Sequence, residues 1–201
     1  MFKAIIFDLG KVIFDVSFDR TYQYWATATG TKVEDIKHRF KFDELYDNFE
    51  TASIAPAEFR AKMAERLGFT LDDAEFDVGW CNLYLRKYDG IDTLLKDLKK
   101  NFKIVALTNS NEIHSRVWKV KYKETLDLFD KVYSSNEMKA RKPQKECYQM
   151  VLDDLKLKPE EVLFLDDNIL NCEGAKMLGM QTILVTGQDQ MRNELRNQGV
   201  I

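Results

Sequence analysis

Five side chains that could take part in chemistry lie at four separate places in the sequence. They are Asp8, Thr108, Lys142, Asp166 and Asp167. A carboxylate can attack a phosphate ester and form a covalent intermediate, which splits one difficult step into two easier ones. A phosphoryl group near −2 and three carboxylates would together bring roughly five negative charges to one site. A bound Mg²⁺ and the Lys142 ammonium would return roughly +3, which makes the approach of the nucleophile feasible.

The segments that precede Asp8, Thr108 and the Asp166-Asp167 pair are nearly apolar throughout, whereas Lys142 follows Arg141 and stands just before Pro143. The apolar pattern is typical of parallel strands that helices cover on both faces. It predicts strands at Lys3–Phe7, Lys103–Leu107 and Val162–Leu165, with further strands at Lys131–Ser134 and Gln181–Val185. Because functional groups of open parallel sheets gather at the carboxyl ends of the strands, we expect the five side chains to converge on one crevice.

Helical periodicity separates the predicted strands from residue 91 onward. Apolar residues recur at i, i+3, i+4 and i+7 from Ile91 to Leu98 and again from Cys147 to Leu155, with Pro143 expected at the first helical position. A third stripe ends at Gly179, which is typical of a helix C-terminus. The alternation of strand and helix predicts an α/β fold, with a doubly wound and mostly parallel sheet.

The interval 16–88 breaks this alternation. It shows helical stripes of aromatic and aliphatic residues and no convincing strand. We therefore predict a small all-helical domain at 16–88, inserted after the first strand, and a core domain formed by 1–15 and 89–201. The aromatic residues of the insertion are more typical of a core than of cofactor contacts.

Composition narrows the possible partners. Thirty basic and thirty-three acidic side chains leave a net charge of −3, which favours neither nucleic acid nor an anionic membrane. No apolar stretch is long enough to span a bilayer, and the N-terminus does not have the pattern of a signal peptide. Three widely spaced cysteines are typical of reduced thiols. We expect a cytoplasmic protein, monomeric by default, that acts on a small molecule.

With these motifs in this order, the chain resembles the haloacid dehalogenase-like hydrolases. The first motif is Phe7-Asp8-Leu9-Gly10, the second is Leu107-Thr108-Asn109 and the third contains Lys142-Pro143. The fourth is Phe164-Leu165-Asp166-Asp167, followed by Asn171, Ala175 and Gly179. The resemblance covers essentially the whole chain, and the helical insertion falls where that family carries its cap domain. Within the family, the first three motifs look most similar to bacterial α-D-glucose-1-phosphate phosphatases.

The resemblance implies a Mg²⁺-dependent phosphatase. Asp8 would be the nucleophile, and Lys142 would be both catalytic and a phosphate ligand. Thr108 and the Asn109 amide would hold the phosphoryl oxygens. Mg²⁺ would bind the Asp8 carboxylate, the Gly10 carbonyl and Asp167, with Asp166 behind them. A sugar phosphate such as glucose 1-phosphate is the implied substrate.

Gly10 departs from the family pattern, because most of its phosphatases carry at this position a second Asp that protonates the leaving group. Losing a general acid typically costs 10²–10⁴-fold in rate. In a first interpretation another group acts as the general acid, such as water, the substrate itself, Asp15 or His114. In a second the chain is a 2-haloacid dehalogenase, although such enzymes have neutral residues where Asp166 and Asp167 stand. In a third it is a catalytically silent binding protein.

Overall fold

The computed structural model describes residues 1–201 and contains a five-stranded parallel sheet. The seven strands of the chain are β1 (Ala4–Phe7), β2 (Phe14–Val16), β3 (Tyr84–Lys87), β4 (Lys103–Thr108), β5 (Lys131–Ser134), β6 (Val162–Asp166) and β7 (Gln181–Leu184). The sheet has the order β5-β4-β1-β6-β7, so β1 lies at its centre. All five predicted strands are present, and the predicted α/β fold with a parallel sheet is confirmed.

Twelve helices accompany the strands. They are α1 (Phe18–Thr29), α2 (Val33–Arg39), α3 (Glu44–Glu50), α4 (Pro56–Leu67), α5 (Asp73–Cys81), α6 (Ile91–Leu98), α7 (Glu112–Lys121), α8 (Lys123–Leu126), α9 (Ser135–Met138), α10 (Lys145–Leu155), α11 (Ile169–Met177) and α12 (Gln188–Asn197). None of them is both long enough and apolar enough to cross a membrane.

Each central strand is buried on both faces. In β1, Ile5 and Phe7 belong to one core cluster, whereas Ala4 and Ile6 belong to another on the opposite side of the sheet. Successive side chains of a strand point to opposite faces, so a strand covered on both sides must be apolar at every position. This requirement explains why β1, β4 and β6 could be recognised from their sequence.

A two-stranded antiparallel ribbon joins the beginning and the end of the helical insertion. Phe14 of β2 is paired with Lys87 of β3, and Val16 with Tyr84. The prediction that no strand lies within 16–88 was therefore wrong for β3 and for the last residue of β2. These strands are only three and four residues long. Such short strands give little periodicity, and the pairing partner of each lies far away in the chain.

The helices α1 to α5 surround a core of their own. Trp25 and Trp80 are fully buried at its centre, with their rings stacked 5.7 Å apart. Ile113 of α7 also belongs to this cluster, so the insertion packs on the sheet-bearing part of the chain. The division of the chain into a core domain and a domain at 16–88 remains a prediction.

The loop that carries Lys142 differs from expectation. We expected Pro143 at the first position of a helix, but α10 begins at Lys145. Lys142 and Pro143 therefore lie in the loop between α9 and α10. Gly179, the expected helix stop, follows α11 with a φ of 98°, which is the left-handed conformation typical of a helix end.

Candidate active site

An ammonium group joins the ends of two neighbouring strands. Lys142 Nζ lies 2.7 Å from Asp8 Oδ1 and 2.6 Å from Asp166 Oδ2. Asp8 directly follows β1 and Asp166 ends β6, so the sheet brings both carboxylates to the same edge. The side chain of Lys142 is only 1% exposed, and that of Asp166 is fully buried. Charges this deeply buried require partners, and here the two carboxylates and the ammonium supply them to each other.

The carboxylate of Asp166 is held by a complete set of donors. Its Oδ1 accepts hydrogen bonds from the Asn168 N–H over 2.8 Å and from Asn171 Nδ2 over 3.0 Å. Its Oδ2 accepts from Lys142 and also lies 3.1 Å from Asn171 Nδ2. Both oxygens of Asp166 are therefore engaged within the protein.

Asn109 holds the loop of Lys142 in place. Its Nδ2 donates to the Lys142 carbonyl over 2.9 Å, and its Oδ1 accepts from the Lys142 N–H over 2.9 Å. The sequence motif predicts a role only for the backbone amide of Asn109, and the structure adds this role for its side chain. Thr108 is 6% exposed, and the only hydrogen bond of its side chain is a long one to the Asn109 carbonyl, at 3.5 Å. Its hydroxyl group is therefore free to bind a ligand.

Three carboxylates could hold a cation. Oxygens of Asp8, Asp166 and Asp167 all lie within 4.8 Å of one another. Mg²⁺ binds oxygen ligands, and it is usually held by one or two carboxylates together with water. The ion-pair partner of Asp167 is the exposed ammonium of Lys11, at 3.3 Å. Asp8 binds Lys142 through Oδ1, so its Oδ2 is available to a cation. The donor set fits Mg²⁺, with Asp8 and Asp167 as the available carboxylates.

Burial and charge oppose each other in this cluster. Burial raises the pKa of Asp8 to about 7, and the Asp166 carboxylate adds to this, although the Lys142 ammonium acts in the opposite direction. Burial lowers the pKa of Lys142, but the two carboxylates outweigh this effect and hold its pKa above the ordinary value. Lys142 is therefore a permanent cation, and a divalent ion beside Asp8 would favour the ionised carboxylate.

A cavity of about 450 Å³ lies over these groups. The strand ends and the loops beyond them contribute Asp8, Gly10, Thr108, Asn109, Lys142 and Asp167 to its lining. The helical insertion contributes Phe18, Phe42, Tyr46, Asp47 and Glu50 from the opposite side. All sequence-predicted site residues thus lie together, with Asp166 directly behind the cavity.

An ionic junction at the edge of the cavity was not predicted from the sequence. Arg141 Nη1 lies 2.6 Å from Asp47 Oδ1, and its Nε and Nη2 each lie 2.9 Å from Glu50 Oε2. The Glu50 carbonyl also accepts a 2.7 Å hydrogen bond from Ser135 Oγ. Glu50 is 3% exposed. In the sequence, Asp47 and Glu50 look like an ordinary solvated helix face, because their cationic partner is about ninety residues away.

The two candidate replacements for a general acid are not suited to that role. His114 is buried, its Nε2 is hydrogen-bonded to the Trp80 carbonyl over 3.0 Å, and its Nδ1 lies 3.1 Å from Asn111 Nδ2. Burial lowers the pKa of His114 to about 3, so the ring is neutral at pH 7. Asp15 lies between Phe14 and Val16, which both line the cavity. Asp15 itself does not line the cavity.

Comparisons with known proteins extend these observations. A family model described as haloacid dehalogenase-like hydrolase matches residues 2–179. D-ribitol-5-phosphate phosphatase from Bacteroides thetaiotaomicron is 26% identical over 204 residues, which cover 97% of each chain. A sesquiterpene phosphatase from Aspergillus oryzae is 26% identical, and the alignment covers 97% of this chain and 95% of that protein.

Solved structures give the same picture. A B. thetaiotaomicron enzyme of this family, crystallised with magnesium and inorganic phosphate, superposes with a TM-score of 0.79 and 29% identity. The superposition covers 91% of this chain and 93% of that one. An experimentally solved relative therefore combines this fold with bound magnesium and inorganic phosphate.

Proposed function

The chain belongs to the haloacid dehalogenase-like hydrolase family, and we propose that it is a phosphatase that transfers the phosphoryl group of a small ester to Asp8. The observation that carries the proposal is the convergence of Asp8, Thr108, Lys142 and Asp167 on one cavity. Asp8 is the only one of the three clustered carboxylates that combines a free oxygen with a buried position at the end of the central strand.

Each residue has a role in this proposal that its contacts support. Asp8 attacks phosphorus, and the Lys142 ammonium, fixed between Asp8 and Asp166, stabilises the negative charge of the transferring oxygens. The free Thr108 hydroxyl and the Asn109 amide bind those oxygens. Water then hydrolyses the aspartyl phosphate. Asp166, with both oxygens engaged, positions Lys142.

Mg²⁺ would be held by the Asp8 carboxylate, the Gly10 carbonyl and Asp167. When bound, it offsets the charge of the phosphate and of the carboxylates around it. Without such a cation, Asp8 and Asp167 would repel an approaching phosphate dianion.

The helical insertion at 16–88 serves as a cap domain in this proposal. It supplies one wall of the cavity and would exclude water from the phosphoryl group. Sugar phosphates, including glucose 1-phosphate, remain the proposed substrate class. The relatives named above are phosphatases of ribitol 5-phosphate and of sesquiterpenes, so they support small phosphate esters in general and do not single out glucose 1-phosphate. We further propose a cytoplasmic enzyme that acts as a monomer.

Phosphate release from a panel of small phosphate esters tests the proposal. We expect Mg²⁺-dependent release that is abolished in Asp8→Asn and retained in Asp15→Asn, a matched change at a nearby carboxylate that does not line the cavity. Equal activity with and without a chelator would contradict the proposed mechanism. Chloride release from 2-haloacids would instead indicate a dehalogenase. Failure to turn over any ester, combined with no binding of beryllium fluoride and Mg²⁺, would indicate a silent binding protein.

A further inference from the structure

We infer that the substrates are phosphate esters whose leaving oxygen is only weakly basic, such as the phosphates of hemiacetals, phenols or enols. The inference rests on the proposed phosphatase activity and specifies its substrate class. It follows from the side chains that line the cavity, because none of them is placed and charged so as to protonate a departing oxygen.

The groups beside the nucleophile carry no available acid. Gly10, two residues after Asp8, has no side chain. Asp166 accepts hydrogen bonds at both oxygens, and Asp167 lies beside the Lys11 ammonium. Lys142 is bound between two carboxylates, which need its charge in order to remain buried.

The wall formed by the helical insertion is also without a suitable donor. The two acidic residues there, Asp47 and Glu50, both pair with the Arg141 guanidinium. Burial raises the pKa of Glu50 and the Arg141 guanidinium acts in the opposite direction, and Oε2 of Glu50 accepts two guanidinium hydrogen bonds, so this carboxyl group is engaged with Arg141. Burial also raises the pKa of Tyr46 and Tyr84 well above that of an ordinary phenol, so both are weaker proton donors than a free tyrosine.

Two further titratable side chains line the cavity, Lys11 and His114. The Lys11 ammonium is paired with the Asp167 carboxylate, at 3.3 Å. Both ring nitrogens of His114 are engaged with protein atoms, the Trp80 carbonyl and the Asn111 amide, and its ring is neutral. Most of the remaining inner wall is apolar or aromatic, including Leu9, Phe14, Leu83 and Trp118. Such a wall suits a sugar face or an aryl group and offers no proton.

The chemical consequence concerns the first step. Asp8 forms a bond to phosphorus, the bond from phosphorus to the leaving oxygen breaks, and that oxygen leaves with the electron pair and takes a proton from solvent afterwards. A phenol has a pKa of about 10, whereas that of water, and of ordinary alcohols near it, is about 15.7. Departure without protonation therefore favours the phenol strongly. A primary alcohol, as in the 6-phosphate of a sugar, is the unfavourable case.

A leaving-group series tests the inference on the intact protein with Mg²⁺. We measure kcat/KM, which reports the first irreversible step, for substituted phenyl phosphates and simple alkyl phosphates. The expected result is a steep decrease, roughly tenfold for every two units of leaving-group pKa. Glucose 1-phosphate should likewise be hydrolysed faster than glucose 6-phosphate.

A substitution at Gly10 gives a second, independent readout. A Cβ atom at Gly10 would lie 3.4 Å from Val16 Cγ2 and 3.9 Å from Asp8 Oδ2, which are ordinary contacts, so the backbone there has room for a Cβ. Gly10→Asp should increase kcat/KM for alkyl phosphates by about 10²-fold or more and should flatten the series. The matched variant Gly10→Asn occupies similar space without an acidic proton and should retain the steep dependence.

The outcomes separate the inference from the proposed function. A flat series for the wild-type protein, with Asp8→Asn inactive, would overturn the inference and leave the phosphatase intact, because it would reveal a proton donor in the cavity. Equal flattening by Gly10→Asp and Gly10→Asn would also contradict it. No hydrolysis of any ester, including nitrophenyl phosphate, would overturn both. If the Gly10 variants fail to fold, the wild-type series alone decides.

Discussion

The side-chain amide of Asn109 is hydrogen-bonded to both backbone groups of Lys142. One bond runs from Nδ2 to the Lys142 carbonyl and the other from the Lys142 N–H to Oδ1, each 2.9 Å long. The two residues follow different strands, β4 and β5, and come from separate loops. This pair of bonds fixes the loop from which the Lys142 ammonium reaches Asp8.

Asn109→Ala should therefore reduce turnover. The substitution removes the two bonds to the Lys142 backbone, and it leaves the proposed phosphate ligand of residue 109, its backbone amide, in place. A catalytic group displaced by about 1 Å can cost 10²-fold in rate, so we expect kcat to fall by roughly 10- to 100-fold. The backbone amide of residue 109 remains, so KM should change less. Steady-state kinetics on nitrophenyl phosphate measures both values. Asn101→Ala, at an exposed turn, is the control, and a kcat within twofold of wild type for Asn109→Ala would contradict the role.

The sequence predicted much of this site because its residues follow recognisable strands. Asp8, Thr108 and Asp166 each stand at the end of an apolar run, and parallel pairing necessarily brings such ends to one edge. The electrostatic argument for a cation and an ammonium likewise needed only residue types. Both parts depend on local pattern and general chemistry.

The parts that were missed depend on pairs of residues that lie far apart in the chain. Arg141 and Glu50 are separated by 91 residues, and nothing in the neighbourhood of either one indicates the other. The β2–β3 ribbon was missed for the same reason, because each strand is short and finds its partner across the whole insertion. Tertiary packing decides such contacts.

The buried half of the Arg141 junction should contribute more stability than the exposed half. Asp47 and Glu50 bind the same guanidinium, but their side chains are 45% and 4% exposed. Removing one partner of a buried ion pair costs about 3 kcal/mol or more, whereas an exposed pair contributes at most about 1 kcal/mol. Glu50→Gln should therefore lower the free energy of unfolding by about 3 kcal/mol and Asp47→Asn by less than about 1 kcal/mol, as measured by urea denaturation.

A double-mutant cycle shows whether this effect comes from the ion pair. In an Arg141→Met background, Glu50→Gln should cost much less than in the wild type, because the carboxylate no longer has a cation to bind. Equal costs in the two backgrounds would show that Glu50 acts through its other contacts. Equal costs for Glu50→Gln and Asp47→Asn in the wild type would show that burial does not determine the strength of the junction.

His114 should make the folded protein sensitive to acid. Its pKa is lowered from 6.5 to about 3 in the folded protein, so between these values the unfolded chain binds a proton that the folded chain does not. Stability due to neutral His114 is therefore fully present above pH 6.5 and is lost as the pH falls, by up to about 1.4 kcal/mol per pH unit. The free energy of unfolding, measured from pH 7 to pH 4.5, should decrease accordingly.

A comparison of wild type with His114→Gln separates the contribution of His114 to acid sensitivity from that of the carboxylates. His114→Gln keeps an amide that can donate to Trp80 and accept from Asn111 but does not titrate. The gap in unfolding free energy between wild type and His114→Gln should narrow steadily as the pH falls below 6.5. A gap that stays constant over this range would mean that His114 is charged or accessible in the folded state.

Mg²⁺ should stabilise the protein through Asp167 and not through Asp166. Asp167 contacts only an exposed ammonium, whereas both oxygens of Asp166 are engaged. A ligand at 100 times its dissociation constant adds about 2.7 kcal/mol of stability, so Mg²⁺ should raise the melting temperature of the wild-type protein in phosphate-free buffer. Asp167→Asn should lose most of this response. Asp166→Asn should be less stable without Mg²⁺, because Lys142 loses a buried partner, yet it should still respond to the ion.

NaCl at equal ionic strength controls for screening. The opposite pattern, with the response lost in Asp166→Asn and kept in Asp167→Asn, would show that Asp166 is the ligand and that its hydrogen bonds rearrange to admit the cation.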